Sequence, residues 1–529
     1  MDGGTERIDR RSAVALVAMA LAVFVVANDV TALSVALPDI ESDFDADVGT
    51  VQWVISAYAL IFGVLIVTGG RLADLLGRRR VFFVGAAIFA VFSLLGALAQ
   101  DAWWLIVARA LMGVGGALMW PAILGMTYEV LPASRAALAG GLILGAAGFG
   151  NAAGPLIGGA LTDAFDWRAI LVLNLPVAAA AALATWRFVP ASQGEEGAGR
   201  FDYAGTATLS VGLIALLVAL DEVTDASWTS PGILALLALC VALLAVFAVH
   251  ERRAGDRALV PADVMASATF RSACLAVLLM SATFFVALMY LPQFMQKILG
   301  YSAMEAGLGL LPMMGTFALV SFVAGPLYER IGARPVLIGG AACLAAGPFL
   351  IAQIETGDSW AQLLPGMLVL GVGVGLFYSS ITTAAVTALD PSRSSLAGGI
   401  VYMFQIAGGS IGLGVATAVF DAAADSRLRS ELAAGGGPAL DAGERDAVGG
   451  ILAGTETGAQ IQARFADAAA RLEELAREAF AAGFRTSFLL VAALALAGLV
   501  VTVLAVRPRA YSADSEGESL PAASGGSSA

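Results

Sequence analysis

Two ionisable residues stand where water is scarce. Asp29 interrupts an apolar run that begins near Ala13, and Arg109 lies within another that runs from Trp103 to Met126. A carboxylic acid removed from water favours its neutral form, and a neighbouring cation favours the ionised one. Such a pair can therefore take up and release a proton. Two plainer readings stand beside this one. Asp29 could be a structural hydrogen-bond acceptor near Asn28 and Thr31, and Arg109 could stretch toward the membrane surface. A second charged group, Asp74 with Arg78, Arg79 and Arg80, is bracketed by Gly70 and Gly77. It suits either a topogenic cluster at a helix end or a latch of ion pairs that breaks and reforms. Little else invites chemistry. His250 is the single histidine and sits beside Glu251, Arg252 and Arg253, as an interfacial residue would. Cys240, Cys274 and Cys343 all fall in apolar runs, so neither a metal cluster nor a disulfide framework is expected. The Gly-rich runs near Gly113 and Gly371 lie inside apolar segments, and no G-x-x-x-x-G-K-[ST] occurs. No cofactor, nucleotide or enzymatic reaction is expected, and a net charge of −13 does not favour nucleic acid.

The elements that must position these residues follow from composition. Hydrophobic residues make up 59% of the 529 and charged ones 13%, against about 25% charged in soluble proteins. That is too little charge to cover a water-soluble globule of this size, so the chain is read as an all-α polytopic membrane protein. A bilayer core needs about 20 apolar residues per helix. Fourteen segments qualify: 13–37, 51–69, 81–100, 103–127, 137–161, 169–189, 204–221, 230–249, 271–295, 306–328, 335–354, 362–388, 398–420 and 486–506. Asp29 then lies about 12 Å from the outer end of span 1 at the helical rise per residue, and Arg109 at a similar depth in span 4. A mid-helix aspartate costs roughly 2.5–3.5 kcal/mol on insertion scales, so Asp29 should face protein or water and not lipid. With the N-terminus inside, nineteen arginines lie on that side, while the six short outer loops hold only Arg168 and Lys297. This is the positive-inside pattern, and it puts both termini in the cytoplasm. The long segment 421–485, with seven arginines and eleven acids, is outside and does not count in that rule.

Two stretches recur. Gly70-Arg-Leu72-Ala-Asp74-Leu-Leu-Gly77-Arg-Arg79 aligns with Gly325-Pro-Leu327-Tyr-Glu329-Arg-Ile-Gly332-Ala-Arg334, and Arg135-Ala-Ala-Leu138-Ala139-Gly140-Gly141 aligns with Arg393-Ser-Ser-Leu396-Ala397-Gly398-Gly399. The first pair falls after spans 2 and 10, the second after spans 4 and 12. An eight-helix offset keeps one orientation, which implies repeats related by an axis along the membrane normal. The expected organisation is a cytoplasmic N-terminus at 1–12, a six-helix bundle at 13–189, a linker at 190–203, a two-helix insert at 204–249 and a linker at 250–270. A second six-helix bundle at 271–506 carries the outer loop 421–485, and a disordered cytoplasmic tail covers 507–529. Two halves that rock about a central site suit an alternating-access transporter.

The motifs carry a resemblance. Gly70–Arg80 resembles the signature G-x-L-A-D-x-x-G-R-R/K-x-R/K of the major facilitator superfamily. Asp29-Val-Thr31-Ala-Leu-Ser-Val35-Ala36-Leu37-Pro38 is similar to the helix-1 signature D-x-T-x-x-x-V-A-L-P of its fourteen-helix drug:proton antiporters. Gly150-Asn-Ala-Ala-Gly154-Pro155-Leu-Ile-Gly158-Gly159 resembles the helix-5 motif of exporters, and Tyr290-Leu-Pro292-Gln293 with Leu311-Pro312 is similar to the same branch. The resemblance implies that Asp29 and Arg109 couple protons to transport, although Met112 stands where the family often has glutamine. The repeated Asp74/Glu329 and Arg79/Arg334 pattern suggests cytoplasmic latches, and the helix-5 glycines with a kink at Pro155 are read as a close contact between halves, which plain helix packing would also explain. The resemblance also implies a cavity lined by spans 1, 4, 9 and 12. Candidates there are Trp120, Phe284, Phe285, Tyr290 and Tyr378, with Asn28, Asn151, Tyr402, Gln405 and Met313 nearby; any of these aromatics could equally be packing. Aromatic faces suit lipophilic cations.

These features together point to a monomeric, proton-coupled exporter of hydrophobic, cationic or amphiphilic compounds in a bacterial plasma membrane. With no ATP site, a gradient must supply the energy; at ~2.3 kcal/mol per charge per 100 mV, one proton supports about fiftyfold accumulation. A dedicated exporter of an endogenous metabolite or lipid is the alternative within transport, and a non-transporting sensor or scaffold the alternative outside it.

Overall fold

The computed structural model describes residues 9–46, 48–131, 135–190, 202–222, 230–255, 258–355, 357, 359–434, 464 and 469–505. Seventeen α-helices and one 3-10 turn (Pro391–Arg393) account for most of the described residues, and none of these is in a strand. The first half contains α1 (Arg10–Val35), α2 (Leu37–Phe44), α3 (Val48–Leu76), α4 (Arg78–Ala97), α5 (Ala102–Val130), α6 (Ala136–Ala164) and α7 (Arg168–Phe188). The insert is α8 (Tyr203–Glu222) and α9 (Pro231–Ala254). The second half contains α10 (Ala262–Ala266), α11 (Ala268–Lys297), α12 (Ala303–Gly309), α13 (Leu311–Ile331), α14 (Ala333–Ile351), α15 (Trp360–Val386), α16 (Ser394–Ala434) and α17 (Ala469–Ala505). Thirteen helices are long and apolar enough to cross a membrane, and the remaining expected span is the 20-residue α8. All fourteen expected spans are thus helices of a polytopic membrane protein.

The starts of these helices are written locally. Asp9 accepts from the Ser12 amide at 2.8 Å and Asp101 from the Trp104 amide at 2.8 Å, each satisfying an amide that the first turn leaves open. Ser230 caps α9 with Pro231 as its first helical residue. Between α3 and α4 a single residue, Gly77 with φ 96°, turns the chain, and its repeat partner Gly332 does the same between α13 and α14 with φ 85°. Only glycine takes this left-handed backbone without a steric penalty.

The structure redraws several expected boundaries. The Gly70–Arg80 signature, expected as a loop, is the end of α3, the one-residue break at Gly77 and the first turn of α4. Charged side chains continue these helices past the apolar runs, and Arg71, Asp74 and Arg78 are buried against neighbouring helices. Span 10 is interrupted at Leu310, which separates α12 from α13 just before Pro312. The segment 421–485 is not all loop, since α16 runs on to Ala434 and α17 begins at Ala469. The two helices meet here through Phe420 and Phe480, 5.2 Å apart edge-on, and through Arg427 with Glu478 at 3.3 Å. The expected tail 507–529 and most of the linker 190–203 lie outside the described residues.

The repeat seen in sequence reappears as paired contacts between the halves. At Gly70 a side-chain carbon would come within 2.7 Å of the Ser395 carbonyl, and at Gly325 within 2.8 Å of the Ala137 carbonyl. At Gly141 it would meet the Ser321 carbonyl at 2.5 Å, and at Gly399 the Ile66 carbonyl at 2.8 Å. Ser395 and Ala137, and Ser321 and Ile66, are themselves repeat partners. Two equivalent seams, α3 on α16 and α13 on α6, therefore close the arginine-rich ends of the two halves. The insert lies beside one of them. Leu213 and Leu217 of α8 face Gly63 of α3 and Met403 and Ile406 of α16 across a small apolar gap.

Candidate functional site

Asp29 and Arg109 meet in the interior of the first half, and both are 0% exposed. Arg109 Nη1 donates to Asp29 Oδ2. Its Nε donates to the Val54 carbonyl at 3.0 Å, and the guanidinium lies 4.5 Å from the centre of the Tyr58 ring. Met112 Sδ lies 3.8 Å from Nη1, and Nη2 is buried without a hydrogen bond. Arg109 therefore does not reach for the membrane surface. The partners of Asp29 also differ from the two neighbours considered in the sequence. Thr31 turns its hydroxyl to the Asn28 carbonyl at 3.3 Å, and Asn28 Oδ1 is buried without a hydrogen bond. The second donor to Asp29 is Asn174 of α7, whose Nδ2 lies 2.6 Å from Oδ1. The same nitrogen donates to Ser93 Oγ of α4 at 3.1 Å, and Ser93 donates to the Leu171 carbonyl at 2.8 Å. Five helices thus converge on one carboxylate.

Sequence reasoning missed Asn174, Ser93 and Tyr58. The usable signal was that Asn174 and Ser93 are lone polar residues inside apolar spans, which a low-dielectric interior tolerates only with partners.

Tyr58 begins an aromatic path toward the other half. It stacks on Phe62 at 5.9 Å between centroids, and Phe62 meets Trp120 at 6.0 Å and Tyr402 of α16 at 5.6 Å, both edge-on. Trp120 and Tyr402 are 4.8 Å apart. Two of the pocket candidates, one from each half, are thereby brought together. Phe284 forms a separate group with Phe285 at 6.4 Å and Phe317 at 5.8 Å. The other candidates lie elsewhere. Tyr290 stacks on Phe420 at 5.0 Å and donates to Thr417 at 3.0 Å, within the second half. Tyr378 is buried and donates to Ser281 at 3.4 Å, also within that half. Met313 is fully buried on α13, and Asn151 and Gln405 are half-buried.

At the arginine-rich end, Asp74 joins the halves. It accepts from the Leu396 amide at 2.8 Å and the Ser395 amide at 3.3 Å, at the open start of α16, and from Arg78 Nε at 3.2 Å. Arg78 also donates to the carbonyls of Pro391 at 2.7 Å and Gly125 at 3.3 Å, and pairs with Glu129 at 2.7 Å. Arg79 instead binds within its own half, to the carbonyls of Trp186 and Val189 at the end of α7 at 2.7 and 2.8 Å. Arg80 is exposed. The arrangement is asymmetric. Glu329 is exposed, with no hydrogen bond or ion pair to a described residue, and Arg334, although half-buried, does not pair with it. The physical reason is plain: Arg78 supplies Asp74 with a cation four residues on, while the repeat places Ala333 at that position.

The helix-5 glycines were expected to seal one half against the other. Three of them do not. Gly150, Gly154 and Gly158 share one face of α6 by their spacing of four, and that face packs on α1 from Phe24 to Ala32, inside the first half. A side-chain carbon at Gly150 would lie 2.9 Å from the Phe24 carbonyl; at Gly154 and Gly158 it would overlap Thr31 and Ala32. Only Gly159 faces the other half, toward Met304 at 2.6 Å. The helix continues through Pro155.

Known proteins agree with this architecture. Over 411 residues the chain is 35% identical to the puromycin resistance protein pur8 of Streptomyces alboniger, covering 76% of this chain and 81% of the relative. It is 33% identical over 431 residues to the multidrug resistance protein Stp of Mycobacterium tuberculosis, covering 80% and 79%. Among solved structures, the human organic anion transporter MFSD10 (TETRAN) superposes with a TM-score of 0.61 at 14% identity, over 93% of this chain and 99% of that one, a likeness of fold. The Major Facilitator Superfamily profile matches residues 19–413, and with two relatives above 30% identity over most of their length, the chain belongs to that superfamily and is a transporter, not an enzyme.

Proposed function

We propose that this protein exports hydrophobic, cationic or amphiphilic small molecules from the cytoplasm of a bacterium in exchange for protons. It works as a monomer whose arginine-rich face and both termini lie inside. The observation that carries the proposal is the buried Asp29–Arg109 pair, tied through Tyr58 and Phe62 to Trp120 and Tyr402 where the halves meet. The names of the relatives, a puromycin resistance protein and a multidrug resistance protein, support a substrate of that class.

The coupling follows from α3. Val54, Tyr58, Phe62, Ile66, Gly70 and Asp74 recur every four residues and form one ridge of that helix. Along the ridge lie the Arg109 hydrogen bond, the Arg109 ring contact, the aromatic junction, two close contacts with α16 and the Asp74 cap. Neutralising Asp29 weakens the bond that holds Arg109 to it, and Arg109 is bonded to the ridge. Proton uptake at one end of α3 thus loosens the helix that seals the other end, and substrate enters from the cytoplasmic side as Asp29 next gives up its proton. Opening requires the Asp74 bonds to part.

The test is proton release from purified protein in detergent on addition of tetraphenylphosphonium. The wild type should release protons and Asp29→Asn should not, while still binding the cation. Undiminished release by Asp29→Asn would remove Asp29 from the mechanism.

A further inference from the structure

We infer that Asn174 and Ser93 form a reversible hydrogen-bond pair that lets Asp29 exist in both protonation states without leaving its site. The inference rests on the reading of Asp29 as the proton-carrying acid and adds the residues that make its two states compatible with one fold.

The observation is an amide used on one side only. Asn174 is 1% exposed. Its Nδ2 makes both bonds open to it, one to Asp29 Oδ1 at 2.6 Å and one to Ser93 Oγ at 3.1 Å, while its Oδ1 is buried without a partner. Buried acceptors are normally paired. Rotating the amide by half a turn exchanges the two atoms in place. Oδ1 then faces Asp29 and Ser93, with two lone pairs to accept from both, while Nδ2 moves to the unpartnered position that Oδ1 leaves. Ionised Asp29 is an acceptor only and requires the orientation seen here. Protonated Asp29 carries a donor on Oδ1 and requires the reverse.

The change balances with one proton. A proton from solution bonds to Asp29 Oδ1. The Nδ2–H···Oδ1 bond is replaced by Asp29 Oδ1–H donating to Asn174 Oδ1, and Ser93 swings its hydroxyl from the Leu171 carbonyl to the same oxygen. Asp29 Oδ2, now a carbonyl oxygen, still accepts from Arg109. No bond to carbon is made or broken. Ser93 makes the exchange two-way because a hydroxyl accepts from the amide nitrogen in one state and donates to the amide oxygen in the other.

Of the two side chains hydrogen-bonded to Asp29, Arg109 and Asn174, only Asn174 can reverse its role. The ionisable side chains facing Asp29 are Arg109 from α5 and Tyr58 from α3. The charged residues of the other packed helices stand at their ends: Arg10 and Arg11 on α1 itself, Asp39, Glu41 and Asp43 on α2, Arg78 to Arg80 on α4, Asp163 on α6, and Arg168 and Arg187 on α7. Arg109 can only donate, so it cannot receive a proton-bearing Asp29. Asn174 is a positioning residue: it acts on transport through Asp29.

The test measures the pH profile of tetraphenylphosphonium binding to the full chain, together with cation-driven proton release. Asn174→Leu removes the donor that holds the ionised carboxylate, so its profile should move to higher pH by about one unit. Ser93→Ala removes one hydrogen bond from each protonation state, so it should move the profile by less than Asn174→Leu does. The double variant should match Asn174→Leu alone, because Ser93 acts only through Asn174. Unmoved profiles in both single variants, or additive shifts in the double, would overturn the inference. If Asn174→Leu fails to fold, Asn174→Ala takes its place: a profile moved to higher pH supports the pair and an unmoved profile overturns it. Wild-type protein that releases no protons, or Asp29→Asn that still does, would instead sink the underlying reading of Asp29.

Discussion

Asp74 on α3 accepts a hydrogen bond from the main-chain amide of Leu396 at 2.8 Å, so a side chain of one half caps the open end of a helix in the other. The amides at a helix start have no partner inside the helix, and a carboxylate there also meets the positive end of the helix dipole. The bond therefore exists only while the arginine-rich ends of the halves are together.

Asp74→Asn keeps the shape but loses the charge. Hydrogen bonds to charged groups contribute about 1.5–3 kcal/mol, so the closed arrangement should lose a factor of roughly ten to a hundred in population. Spin labels on the arginine-rich ends of α3 and α16 would report this as a longer distance distribution. An unchanged distribution, with an unchanged transport rate, would rule out the latch.

A buried ion pair that loses one partner leaves the other charge uncompensated, at about 3–5 kcal/mol. Arg109→Ala should lower the melting temperature strongly, and combining it with Asp29→Asn should restore much of the loss. Thermal unfolding of the two single variants and the double would show this as non-additivity. Additive losses would mean that the two residues are not energetically paired.

Gly154 and Gly141 lie on the same helix but face different neighbours, Thr31 of the same half and Ser321 of the other. Gly154→Val should reduce the yield of folded protein, since overpacking inside a bundle costs about 1–3 kcal/mol. Gly141→Val should leave each bundle intact and hinder closure, lowering transport more than folded yield. Size-exclusion profiles and initial transport rates distinguish the two, and identical behaviour would contradict the assigned contacts.

Trp120 meets Tyr402 across the halves, while Tyr290 stacks on Phe420 within one. Trp120→Ala should weaken tetraphenylphosphonium binding several-fold, in line with a cation–π contribution of about 1 kcal/mol. Tyr290→Ala should lower stability by about 3–5 kcal/mol, through the cavity left as well as the lost stacking, and leave affinity unchanged. Binding isotherms and melting curves would expose a reversal of these roles.

Much of the architecture was legible without coordinates. Apolar runs of about 20 residues and the distribution of arginine are properties of composition along the chain, and a bilayer admits few structures that satisfy every backbone group. The repeat was legible too, because Gly77 and Gly332 mark backbone conformations that other residues resist. Asp29 and Arg109 stood out because charge inside an apolar span is costly wherever it occurs.

Partnership was not legible. Asn174 lies 145 residues from Asp29 in sequence, and nothing local distinguishes its amide from one that serves packing. The helix-5 glycines declare a close contact but not with which helix, and the two equivalent halves offered Glu329 as readily as Asp74. Sequence determined which residues are expensive to bury and which backbone turns require glycine, since those are properties of single residues in a given solvent. Only the tertiary structure decided which helix supplies each compensating group, because a hydrogen bond depends on two atoms lying within about 3 Å of each other, and chain separation carries no information about that distance.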